Sequence, residues 1–180
     1  MNAQHDFLTG QKSFLEGDYR KSIASFSVAL EYGLQPEKGY LALGMAHLKN
    51  ADFDEAVEDF SHVLEFDHDA EQALFYRGIT HLNHAELQET IDDLTRVLDL
   101  NPERSEAWVA RSLAHRELHH DKEAQEDMKQ ALVHSGIEVE EFMRNFAISP
   151  QVYTWAMTLF DVQDEPWAVQ LGEEIRKSWH

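Results

Sequence analysis

Apolar and small positions return along this chain with a fixed period. From Glu71 to Arg104 the order is an apolar-periodic stretch, a short polar break, a second apolar-periodic stretch, and Asn101-Pro102. Shifted by 34 residues the same order runs from Glu37 to Ala70 and from Ser105 to Glu138, with a weaker copy from Ala3 to Pro36. Within each copy the spacing of apolar residues is that of one helix face, so each copy predicts a helix, a tight turn and a second helix. A period of this length predicts a solenoid of stacked hairpins.

The small positions carry a packing reason. Gly10, Gly44, Gly78 and Ser112 recur on the first helices, and Ser22, Ala56, Thr90 and Ala124 on the second. Two helices approach to about 8–10 Å only where the side chains at their crossing are short. Bulky residues beside them, such as Tyr40, Leu74, Trp108, Phe60, Leu94 and Met128, fill the remaining space.

This pattern resembles the tetratricopeptide repeat, a helix-turn-helix of 34 residues, over Ala3 to Glu138. The resemblance implies an all-α, right-handed superhelical solenoid of four repeats (3–36, 37–70, 71–104, 105–138). The first repeat departs from the pattern, with Asp6 and Thr9 where larger apolar residues are usual; a polar first repeat suits an end cap. Beyond Glu138 the period is lost. Three helices are expected there, near Glu138 to Ala147, Pro150 to Val162 and Glu165 to Ser178, as a C-terminal helical cap over 139–180. Trp167, Leu171, Ile175 and Trp179 fall at steps of four and give the last helix an apolar stripe.

The resemblance also turns the first helices toward a concave groove. The expected peptide-binding lining is Phe7, Gln11, Lys38, Leu41, Met45, Lys49, Gln72, Phe75, Ile79, Asn83, Val109 and Leu113. Leu41, Met45, Phe75, Ile79 and Val109 would form an apolar track suited to an amphipathic helix. Some relatives hold an acidic peptide end through a clamp of Lys, Asn and Arg. At those places this chain has Phe7, Gln11, Ala42, Gln72 and Tyr76, none of them basic, so no such clamp is expected.

Charge and composition narrow the function. Thirty-four acids against 15 bases give a net charge of −19, which repels a phosphate backbone and argues against nucleic acid. There is no cysteine, so disulfides and thiolate metal sites are excluded. No apolar run is long enough for a membrane span, and the N-terminus has no secretory signal pattern, so a cytoplasmic protein is expected. Arg77 and Arg111 stand one repeat apart, as do Asp59, Asp93 and Asp127, and predict a structural Arg–Asp ladder. In that ladder Asp93 is available to Arg77 or Arg111, and Asp59 to Arg77; an anion-binding arginine pair is the alternative. His47, His81 and His115 share one repeat position and are read as packing and hydrogen-bonding residues. Neither His115 with His119 nor His81 with His84 has a carboxylate to complete a metal site, so no metal and no cofactor are expected. No catalytic motif is present, and the chain is read as a non-enzyme. The expected function is a protein-interaction adaptor binding an apolar or amphipathic peptide or helix. A small acidic chaperone holding a secreted or unfolded client is the alternative, and oligomeric state is left open, a homodimer included.

Overall fold

The computed structural model describes residues 2–134, which form eight helices and no strand. These are α1 (Ala3–Leu15), α2 (Tyr19–Glu31), α3 (Pro36–Asn50), α4 (Phe53–Phe66), α5 (Glu71–Asn83), α6 (Leu87–Leu100), α7 (Ser105–Glu117) and α8 (Asp121–His134). The expected C-terminal cap and its Trp167–Trp179 stripe lie outside the described residues. The described residues divide into two bodies, 2–102 and 103–134. In the first, α1, α3 and α5 each pack antiparallel against the following helix, and α2 and α4 pack in turn on α3 and α5. In the second, α7 packs against α8.

Local chemistry sets the helix ends. The Asn2 side chain accepts the Gln4 amide at 2.9 Å, and Asp18 accepts the Lys21 amide at 3.2 Å. Each satisfies one of the orphan donors of a helix start. Pro36 opens α3, where its missing N–H costs no bond. The turn inside each hairpin ends in one left-handed residue, at Gly17, Ala51, Ala85 and His119, with φ of 79°, 64°, 62° and 60°. These four positions are one period apart, and only the first is glycine. A left-handed residue with a Cβ is strained by about 1–2 kcal/mol, and part of any gain on removing the Cβ is lost to the freer unfolded chain. Ala51→Gly and Ala85→Gly are each expected to raise stability by about 0.5–1 kcal/mol, and Gly17→Ala to lower it, read as shifts of the urea midpoint.

The small positions are where the helices cross. A Cβ at Gly10 would fall 2.5 Å from the Phe26 ring, and one at Gly44 2.7 Å from the Phe60 ring. At Gly78 the nearest atom is Leu94 Cγ at 3.0 Å. The Ser22 hydroxyl, wholly buried, donates to the Gly10 carbonyl at 2.9 Å, so it is short enough for the crossing and still satisfied. Gly39 serves the same purpose between hairpins, where its bare face lies against Leu30. The core of the first two hairpins gathers Phe7, Phe26, Ala29, Leu34, Leu43 and Ala46, with Phe7 and Phe26 ring centroids 5.3 Å apart.

Candidate peptide-binding groove

The first helices of the first two hairpins, α1 and α3, flank an apolar pocket of about 320 Å³. Phe7, Gln11, Phe14 and Leu15 line it from α1 at steps of four, three and one, which is a single helix face. Ala42 and Met45 line it from α3, and Phe26 of α2 contributes from below the crossing. Lys38, one turn before Ala42, holds its ammonium 4.3 Å from the centre of the Phe7 ring. A cation at that distance is attracted by the ring face and leaves the pocket rimmed by one positive charge.

The expected groove residues separate by burial. Phe7, Gln11 and Met45 line the pocket, and Lys38 lies over Phe7. Leu41 is half-buried, while Lys49, Gln72 and Asn83 are exposed, the last donating to the Ile79 carbonyl of its own helix at 2.7 Å. Phe75, Ile79, Val109 and Leu113 are only 3%, 0%, 0% and 6% exposed. They belong to packed interior, so the apolar track expected along five first-helix residues reaches the surface at Leu41 and Met45 alone. Leu15 and Phe26 were not legible as lining; Leu15 follows Phe14 on α1 and is 86% exposed, a position that only the structure reveals.

Most of the acid lies on other helices. α4 carries Asp54, Glu55, Glu58, Asp59 and Glu65 with no Lys or Arg, whereas α1 has Asp6 and Lys12, and α3 has Glu37, Lys38 and Lys49. The pocket is therefore close to electrically neutral in a strongly acidic chain.

The buried charges pair within hairpins. Arg77 reaches Asp93 through two bonds of 2.8 and 2.7 Å and donates to Ser61 of α4 at 3.0 Å. Arg111 forks onto Asp127 in the same way, at 2.8 and 2.8 Å. Asp59 does not serve Arg77. The second hairpin has Leu43 where the third and fourth have arginine, and Asp59 instead meets His47 Nδ1 at 2.7 Å. Asp93 is thus used by the arginine of its own hairpin, sixteen residues earlier. The repeated histidines join the same network: His81 Nε2 and His115 Nε2 each lie 3.9 Å from the Asp93 and Asp127 carboxylates. Among the described residues no group of three or more His, Asp or Glu side chains is placed to hold a metal.

Burial and partners move two of these histidines in opposite directions. Burial alone pulls His47 down, but the hydrogen bond and charge of Asp59, with Asp52 and Glu55, outweigh it, so His47 lies above its ordinary 6.5. Burial pushes the Asp59 carboxyl above its ordinary 3.8, against the bond and charge of His47. Burial pulls His115 below 6.5; Asp127 opposes the fall, and Arg111 and His120 add to it. The raised His47 contributes stability that is full below pH 6.5 and lost as pH rises through its folded pKa. The lowered His115 contributes stability present above pH 6.5 and lost as pH falls from there toward its folded pKa. An NMR titration is expected to show His47 titrating above 6.5 and His115 below it. The reverse order would mean that His47 is not held by Asp59.

Comparison with known proteins bears on this site. The sequence profile of the tetratricopeptide repeat matches residues 37–69. The chain carries tetratricopeptide repeats. Solved structures similar in fold include TTC0263, a thermophilic tetratricopeptide protein of Thermus thermophilus, with a TM-score of 0.67 at 17% identity over 98% of each chain. YrrB, described as having an unusual peptide-binding site, matches with a TM-score of 0.68 at 18% identity, over 74% of this chain and 69% of its own. The first such domain of Spaghetti (RPAP3), bound to the HSP90 peptide SRMEEVD, matches with 0.61 at 22%, over 65% and 93%. No curated protein matches the sequence. The fold is an all-α helical-repeat solenoid of the tetratricopeptide kind.

Proposed function

We propose that the chain is a non-enzymatic protein-interaction adaptor that takes an apolar or amphipathic segment of a partner protein against α1 and α3. The pocket between Phe7, Phe14, Leu15 and Met45 carries this reading, because it is concave, apolar and open to a side chain of aromatic or branched aliphatic size. Peptide binding by YrrB and by the RPAP3 domain supports a peptide as the kind of ligand. The acidic sequence SRMEEVD is not the expected chemistry here. Phe7, Gln11, Ala42, Gln72 and Tyr76 supply no positive charge, and the chain's net charge of −19 repels an acidic peptide at long range. The segment is recognised by apolar fit, with Lys38 at the rim orienting it.

A peptide library displayed on phage and selected on the full chain tests this. Enriched peptides are expected to share one or two large apolar residues at helical spacing. Their binding is expected to be lost in Leu15→Glu combined with Met45→Glu, with the helical circular-dichroism signal and melting point little changed. Leu15 is exposed and Met45 half-buried, so the charges fall on the pocket wall rather than in the core. Selected peptides that bind the double variant equally well would place recognition elsewhere. Selected peptides ending in two acids would overturn the chemistry proposed.

A further inference from the structure

The turn inside the hairpin carries a histidine five residues upstream in three repeats, paired in sequence with Asp52, Glu86 or His120. In the third repeat His81 Nδ1 meets the Glu86 carboxylate at 2.5 Å, an N–H donated to an acid. The fourth repeat has the same backbone. Ala85 and His119 are both left-handed, and Glu86 N and His120 N each return to the carbonyl of the histidine at 2.9 Å. The acid, however, is replaced by imidazole, and His115 Nδ1 faces His120 Nδ1 at 3.4 Å.

Two imidazole Nδ1 atoms face to face are joined either by an N–H that one neutral ring donates to the lone pair of the other, or by a metal ion held between two lone pairs. An N–H to nitrogen bond is expected nearer about 3 Å, so the observed spacing is long for a shared proton. Two imidazole nitrogens each about 2.0–2.1 Å from one ion, at a tetrahedral angle, stand about 3.3–3.4 Å apart. We infer that His115 and His120 chelate one late first-row transition ion of the Zn²⁺ type through their Nδ1 atoms, across the α7–α8 turn.

The surroundings support this. His115 Nε2, the ring's other nitrogen, lies 3.9 Å from Asp127 Oδ2, beyond hydrogen-bond distance, so the carboxylate acts on the ring through its charge alone. Arg111 is the opposing charge, and its two bonds to Asp127 offset it; Glu123 adds a favourable one. With two protein ligands the remaining positions fall to water, giving an exchangeable site rather than a structural core. The sequence hides this pair because its members lie on opposite sides of the turn. His119, four residues from His115, has φ of 60° and directs the next residue, not itself, back to His115.

The test is Zn²⁺ titration of the untagged full chain with ¹⁵N-labelled imidazoles followed by NMR. The His115 and His120 Nδ1 resonances are expected to shift together and saturate at one equivalent, and the melting temperature to rise, since the ion binds the folded turn alone. His120→Gln offers His115 Nδ1–H an acceptor but removes the ligand; His120 is exposed, so the fold is kept and both responses are lost. Unchanged zinc binding in His120→Gln, uniform shifts of all the histidines, or no response in the parent would each overturn the inference.

Discussion

Asp93→Ala is expected to cost about 3 kcal/mol, near the lower end of what breaking a buried ion pair costs when one partner stays. The Asp93 side chain is 7% exposed and receives both arms of the Arg77 fork. Its removal leaves a guanidinium that cannot shed its proton, with Ser61 as the remaining acceptor. Arg77 is 22% exposed, so water recovers part of the loss and the upper end of the range is not reached. Asp59→Ala makes the control. Its partner is His47, which becomes neutral simply by releasing a proton, and the loss is expected to be about 1–2 kcal/mol. Urea denaturation at pH 7 measures both. If Asp93→Ala melts like the parent while peptide binding disappears, Arg77 belongs to an anion site and the structural ladder fails.

Gly44→Ala is expected to destabilise by about 1–2 kcal/mol, while Gly78→Ala is neutral or mildly stabilising. In an exposed helix the same change gains about 1 kcal/mol from backbone propensity, so the sign depends on what the new methyl meets. At Gly44 it meets three atoms of the Phe60 ring at 2.7, 2.9 and 2.9 Å. Phe60 is wholly buried, and a planar ring has no flexible end to yield. At Gly78 the neighbours are Leu94 at 3.0 and 3.1 Å and Asp93 Cβ at 3.4 Å, where a small χ rotation gives the space. Phe60→Leu in the Gly44→Ala background is expected to recover part of the loss, a coupling that a double-mutant cycle reads directly. Additive losses would show that Gly44 is small for a reason other than Phe60.

The sequence determined by itself whatever depends on the size of single residues at a repeated position. The period of 34, the small residues at Gly10, Gly44 and Gly78 and the two-helix repeat were legible because close helix approach demands a short side chain in each copy. The left-handed turn was legible in principle from Gly17, but Ala51, Ala85 and His119 mask it with residues that carry no such signal. What the tertiary structure decided depends on which neighbour a side chain meets. Asp59 was open to Arg77 by register, yet Leu43 left His47 as the nearer partner inside the hairpin. Phe75 and Ile79 share the helical phase of Leu41 and Met45, one period on, but are enclosed where those two remain accessible. Helical phase names a face; only the packing of adjacent helices says how deep that face is covered. The facing of His115 and His120 is of the same kind, since a turn of three residues brings together side chains that helical spacing would place apart.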